Sequence, residues 1–271
     1  MTGAVALPLL ILFILKANVF AFSCFIGLLV LLGLGEFYRM ALPGRTALGT
    51  VASVAGVLVV VVLVRPDSLQ RFVSLPGWSG VLFALTTLFL SVAIFFLFSI
   101  RDIRQSAAEM ALVWSGFAYI PLLLSHLVLL RTLQNGIEWV FLMLLIVMSG
   151  DTAAYYVGST LGKRKLYPVV SPNKSLEGAI GGLCGSLTGT LIAKFTFFQG
   201  ITVVDCVVTA LLVGAMGQIG DLFESLLKRS FGVKDSGIIV PGHGGILDRL
   251  DSILFAAPAL YYYACLVVMA R

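Results

Sequence analysis

Residues 47–64 read Ala-Leu-Gly-Thr-Val-Ala-Ser-Val-Ala-Gly-Val-Leu-Val-Val-Val-Val-Leu-Val, a run without a charged side chain. A helix crossing the hydrocarbon of a bilayer needs about 20 mostly apolar residues, because lipid offers no partner to a backbone amide or a charge. This run meets that need and has company. Outward from it, apolar segments at 4–15 (short), 18–34, 78–100, 107–130, 138–158, 176–199, 201–227 and 251–270 fit the same description. Only Lys16-Ala17-Asn18 separates the first two, so they form a tight hairpin or a pair with one half-inserted member. The expected fold is an all-α polytopic membrane protein with about nine transmembrane helices.

The composition agrees. Of the 271 residues, 59% are hydrophobic and 11% charged, with a mean hydropathy of +1.06. A soluble domain carries about 25% charged residues. With so few charges, a soluble fold would expose mostly apolar surface and aggregate. That excludes a soluble enzyme, a disordered chain and a nucleic-acid binder. The run from Ala4 lacks a basic leader and reads as a first membrane helix rather than a cleaved signal peptide. Cys24, Cys184, Cys206 and Cys265 lie far apart in apolar stretches and form no Cys-x-x-Cys pair. They read as small buried residues, not as a disulfide framework or zinc site. Trp78 and Trp139 stand at segment ends and fit an interfacial aromatic belt. His126 reads as a hydrogen-bonded packing residue.

The charges that do occur are unevenly placed. Twelve of the 18 basic residues fall in alternate loops: Arg39, Arg45, Arg101, Arg104, Lys163, Arg164, Lys165, Lys174, Lys228, Arg229, Lys234 and Arg249. By the positive-inside rule those loops are cytoplasmic, on the inner face of the cell membrane. Eight of the 13 acids lie between residues 151 and 251, most of them beside the loops 159–175 and 228–250. Residues 1–137 therefore read as scaffold helices and 138–271 as the region that carries the chemistry.

Within that region Asp221 lies inside an apolar segment, where an unpaired carboxylate costs roughly 2.5–3.5 kcal/mol on insertion scales. Asp248 and Asp251 are three residues apart and share one helix face. Carboxylates converging at a membrane surface repel unless a cation neutralises them. Mg²⁺ suits such a place, taking one or two carboxylates with phosphate and water oxygens. Lys228, Arg229, Lys234 and Arg249 supply countercharge for a polyanion. Pro241-Gly242-His243-Gly244-Gly245 offers backbone amides that can approach phosphate. Taken singly, each has a plainer use: Lys228-Arg229 as a helix-end anchor, Asp248 as an N-cap, the glycines as a turn. Their concentration in a charge-poor chain favours a site.

The run Ser225-x-x-Lys228-Arg229, four residues, Lys234-Asp235-x-Gly237, then Pro241-x-His243-Gly244-Gly245-x-x-Asp248-Arg249-Leu250-Asp251 closely resembles the signature of phosphatidate cytidylyltransferases, also called CDP-diacylglycerol synthases. Val240 stands where a larger apolar residue is expected. A second stretch, Gly150-Asp151-Thr152 through Gly162-Lys163 and Ser171-Pro172-Asn173-Lys174-Ser175-Leu176-Glu177-Gly178, is similar to the family's other cytoplasmic segment. There Asn173 replaces a lysine, Ser175 a threonine and Leu176 a tryptophan. Gly158-Ser-Thr-Leu-Gly162-Lys163 imitates a P-loop, but its glycines are one residue too close and Arg164 replaces the hydroxyl residue.

The resemblance implies transfer of a cytidylyl group from CTP to phosphatidate at the cytoplasmic face, with Mg²⁺ and a second cation, K⁺. It implies a homodimer as well. On it, Asp221, Lys228, Asp248 and Asp251 are the expected catalytic residues, with Asp221, Asp248 and Asp251 on the metal. Ser171, Lys174, Ser175, Arg229, Lys234, His243, Gly244, Gly245 and Arg249 would bind substrate. Asp151 and His126 receive no role. Two rivals stand beside it: a CTP-dependent polyprenol or dolichol kinase, which shares part of the signature, and a secondary transporter, favoured by carboxylates inside helices.

Overall fold

The computed structural model describes residues 2–64, 78–99, 102–237 and 244–270; of 2–7 and 78 only the backbone is described. In chain order the helices are α1 Thr2–Lys16, α2 Val19–Ala41, α3 Thr46–Val64, α4 Trp78–Phe98, α5 Ile103–Tyr119, α6 Pro121–Thr132, α7 Gly136–Leu161, α8 Leu176–Thr196, α9 Val203–Ser230 and α10 Leu247–Tyr263. A π-helical turn, Ala264–Val268, extends α10, and a two-stranded sheet, β1 Lys165–Tyr167 and β2 Ser171–Ser175, precedes α8. Eight spans among the described residues are long and apolar enough to cross a membrane. The chain is thus an all-α polytopic membrane protein.

Every segment expected from hydropathy is present, with two refinements. Helix α1 has 15 residues, about 22 Å, short of the ~30 Å hydrocarbon. It folds back on α2 as a hairpin: Asn18 Oδ1 accepts the Ala21 N–H at 2.8 Å, and Phe13 packs on Phe25 with ring centroids 5.0 Å apart. Helices α5 and α6 together make one span of 30 residues, Ile103–Thr132. The break falls at Ile120, because Pro121 has no N–H to continue the ladder.

The chain divides into two compact units, residues 1–26, 126–235 and 248–271 in one, 27–125 and 236–247 in the other. The first is organised around α7, α8 and α9. Helix α8 meets α7 along small residues. A Cβ on Gly185 would stand 2.5 Å from both Ala153 Cβ and Ser149 O, and one on Gly178 3.0 Å from Ala154 O. Such contacts leave room for hydrogen bonds between helices. Ser186 Oγ donates to Ile146 O at 3.1 Å, and Gln218 Nε2 of α9 donates to Ala179 O of α8 at 3.0 Å. Asp205 is spent on structure: with Thr202 it forms a capping box at the start of α9, and it accepts the Tyr263 hydroxyl at 2.6 Å.

Trp139 departs from expectation. It is buried, with its ring 4.7 Å from that of Phe198, so it packs the core instead of standing in an interfacial belt. The side chain of Trp78 lies outside the described residues.

In the second unit α2, α3 and α5 pack around Tyr38, whose hydroxyl donates to Val113 O at 2.8 Å. Arg45 joins two connections: its guanidinium pairs with Glu109 at 2.7 Å and donates to Ser99 O at 3.1 Å.

Candidate active site

In the first unit, the end of α7, the β1–β2 hairpin, the late part of α9 and the start of α10 enclose a cavity of about 760 Å³. The hairpin is antiparallel, pairing Lys165 with Ser175 and Tyr167 with Ser171. The 163–177 segment is closed by α8's own first turn. Ser175 Oγ accepts the Gly178 N–H at 3.1 Å as N-cap. The Glu177 carboxylate accepts the Lys163 N–H at 3.0 Å and the Arg164 N–H at 3.1 Å. What the sequence shows as a charged loop is thus a braced platform that delivers Ser171, Lys174 and Ser175 to the cavity wall.

Carboxylates from three helices line the same cavity, among them Asp151 of α7, Asp221 of α9 and Asp251 of α10. Lys174 lies on the same wall. Lys174 Nζ is paired with Asp221 Oδ2, both side chains about a third exposed (28% and 32%). Asp251 Oδ1 also accepts the Ser252 N–H at 2.6 Å.

Behind this wall lies a second charged group. Lys228 Nζ sits 2.6 Å from Asp248 Oδ1 and 2.9 Å from Glu224 Oε2. Glu224 is fully buried, and its Oε1 has no hydrogen-bond partner among the described residues. Asp248 reaches the cavity, while Lys228 stands between it and Glu224.

The expected residues therefore separate. Asp221, Asp248, Asp251, Ser171, Lys174, Ser175 and Arg249 line one cavity. Lys228 touches it through Asp248. Arg229 and Lys234 are not on its wall; the Arg229 guanidinium donates to Val233 O at 3.3 Å beyond the end of α9. Gly244 and Gly245 are likewise outside the wall, and His243 lies outside the described residues. Asp151 and Glu224 are the additions. A signal existed for both, a carboxylate in an apolar helix: Glu224 has Lys228 one turn on, whereas Asp151 meets the other cavity carboxylates from a different helix.

Among the described residues, no group of three or more His, Cys, Asp or Glu side chains is placed to hold a metal ion alone. The wall carries hard carboxylate oxygens and, among the described residues, no histidine or cysteine. Such donors suit a hard cation that keeps other oxygen ligands.

Spans and site together define a class: a polytopic α-helical membrane protein with an acidic and basic cavity at the ends of its helices. Within that class, the chain belongs to the cytidylyltransferase family, whose model matches residues 1–267. It is similar to the phosphatidate cytidylyltransferase of Staphylococcus haemolyticus, 36% identical over 238 residues, which covers 87% of this chain and 86% of that one. The enzyme of that name from Staphylococcus aureus (strain COL) is 33% identical over 262 residues, 96% and 95% of the two chains. With the Bacillus subtilis phosphatidate cytidylyltransferase the identity is 42% over 159 residues, 58% of this chain and 59% of that one.

Proposed function

We propose that this protein transfers the cytidylyl group of CTP to phosphatidate, forming CDP-diacylglycerol and pyrophosphate. The observation that carries the reading is the cavity shared by Asp151, Asp221, Asp251, Lys174 and Arg249, in a chain of the cytidylyltransferase family. A phosphate oxygen of phosphatidate attacks the α-phosphorus of CTP. The bond from that phosphorus to the bridging oxygen breaks, and its electron pair leaves on pyrophosphate. The nucleophile is already anionic near neutral pH, so the reaction needs no strong general base. The barrier lies in bringing two polyanions together and in charge growing on the leaving group. Positioning and electrostatics therefore supply most of the acceleration.

In this reading Lys174, Ser171 and Ser175 receive nucleotide phosphate, and Arg249 meets a phosphate at the start of α10. Lys228 keeps Asp248 oriented. Arg229 and Lys234, off the wall, draw anions toward it at longer range. His243, Gly244 and Gly245 shape the pocket. Asp221, Asp248 and Asp251 would hold Mg²⁺, with K⁺ as a second cation, and Asp151 adds a further oxygen donor. When bound, the ions neutralise the triphosphate. The site faces the cytoplasm of the inner membrane, where basic loops are retained and CTP is available. The homodimer belongs to the same proposal.

The deciding experiment incubates the purified protein with radiolabelled CTP, Mg²⁺ and phosphatidate. CDP-lipid and pyrophosphate are the expected products. CDP with a newly phosphorylated lipid alcohol would identify the kinase instead, and substrate counterflow without CTP would identify a transporter.

A further inference from the structure

Glu36 belongs to the half of the chain that reads as scaffold, yet it is bonded to the signature. It lies on α2 and is buried, 1% exposed. Its carboxylate accepts three hydrogen bonds from residues some two hundred positions later. The Ser236 hydroxyl donates to Oε2 at 3.0 Å, the Ile246 N–H to Oε1 at 2.9 Å and the Leu247 N–H to Oε2 at 2.8 Å. Helix α10 begins at Leu247, so the carboxylate sits on amides that the helix itself leaves free. A negative charge there is favoured by charge-assisted hydrogen bonds and by the helix dipole. Burying a carboxylate is costly unless its oxygens are satisfied, and here each has a donor.

Two signature glycines are explained by the same carboxylate. Gly237 and Gly245 are not in the left-handed region, so backbone freedom does not account for them. Space does. A Cβ on Gly237 would stand 2.5 Å from Glu36 Oε1, 2.8 Å from Cδ and 3.1 Å from Cγ, and one on Gly245 would stand 2.7 Å from Cδ. Gly244 differs: its φ of +82° is one that only glycine adopts readily. The backbone on both sides of 238–243 therefore closes on Glu36 because no side chain intervenes.

We infer that Glu36 is a positioning residue, whose carboxylate clamps 236–237 and 245–247 and thereby fixes the first turn of the helix that carries Asp248, Arg249 and Asp251. The inference rests on the reading of those three as site residues.

The test uses the full-length protein, purified in detergent, as wild type, E36A, E36Q, G237A and the double variant E36A/G237A. Backbone amide exchange is followed without substrate. In E36A, exchange across 244–251 rises by about tenfold or more while α7 and α8 keep their protection. G237A loosens the same stretch. Adding G237A to E36A costs nothing further, because the atoms its Cβ would strike are gone. With CTP and phosphatidate, kcat of E36A falls on the order of 10- to 100-fold. Its KM for CTP moves by less than about threefold, since Ser171 and Lys174 on β2 are untouched. E36Q, which keeps the shape and one acceptor, recovers part of kcat. Unchanged exchange at 244–251 in E36A, or additive losses in the double variant, overturns the inference. If E36A exchanges rapidly throughout, the isosteric E36Q decides by the same criterion. A wild-type protein that forms no CDP-lipid removes the proposed function, and the exchange measurements still decide for Glu36.

Discussion

Replacing Lys228 with methionine keeps most of the apolar stem and removes the ammonium that stands 2.9 Å from Glu224 and 2.6 Å from Asp248. The three side chains are 13%, 0% and 9% exposed, so little solvent screens them. In K228M the Glu224 carboxylate is stranded, because its Oε1 already lacks a partner among the described residues and Oε2 loses the only one it shows. Breaking a buried ion pair by removing one partner typically costs about 3–5 kcal/mol. At roughly 2 °C per kcal/mol for a chain of this size, the apparent melting temperature in detergent falls by about 6–10 °C. Removing both charges, in K228M/E224M, recovers most of that loss, since the fully buried carboxylate is gone and Asp248, which loses the same ammonium, opens on the cavity. Turnover separates the two effects. Both variants lose on the order of 100-fold in kcat, because Asp248 loses its ammonium in each. Melting curves and CDP-lipid formation are measured on the same preparations. A K228M protein melting within about 2 °C of wild type would show that Glu224 is not stranded. A double variant with restored turnover would show that Lys228 serves Glu224 alone.

Three further outcomes follow from the same geometry. Lys174→Ala breaks a pair that is about a third exposed, so it costs under about 1 kcal/mol of stability while raising the KM for CTP roughly tenfold; unchanged KM removes Lys174 from the site. Gly185→Ala drives a methyl against the Ser149 carbonyl, destabilising by about 1–3 kcal/mol, whereas Gly35→Ala, with nothing within 4 Å, is tolerated or gains a few tenths; equal melting temperatures would refute the close packing of α7 on α8. In a background without native cysteines, Asp235→Cys is labelled by an impermeant maleimide from the cytoplasmic side alone; labelling from the other side reverses the proposed orientation.

Hydropathy made the membrane helices legible, because the bilayer imposes the same length and apolar demand on every span. It marked the first segment as short but left open whether it folds back as a hairpin, since that turn depends on Asn18 as a cap. Nor could it separate a tryptophan at an interface from one in a core: Trp139 stands at a helix end in sequence and against Phe198 in space. The site was legible where its residues are neighbours in the chain, at Asp248, Arg249 and Asp251, or match a long motif. Asp151 and Asp221 share a cavity from different helices, and no local pattern announces that meeting. Arg229 carries the charge expected of a phosphate ligand, yet its guanidinium donates to the Val233 carbonyl just past the end of its own helix, off the cavity wall. Glu36 was invisible for the strongest reason, since its donors lie at 236, 246 and 247, and only the folded chain brings them to it.

Helix α9 has 28 residues and is about 42 Å long, some 12 Å more than the hydrocarbon it has to cross. Measured from the Thr202 cap, about 30 Å of helix ends near Leu222. With the hydrocarbon edge set at Thr202, Asp221 falls at the opposite edge of the oily layer, and Glu224 and Lys228, buried or nearly so within the protein, lie at headgroup depth. The helix works as a ruler. It sets the depth at which a lipid phosphate, tethered by tails that stay in the bilayer, comes level with the carboxylates. A host membrane a few ångströms thicker or thinner shifts that level by a similar amount, or tilts the helix to absorb it. Under the proposed function, turnover is then expected to vary with acyl-chain length in the surrounding bilayer, separately from the identity of the substrate's own tails.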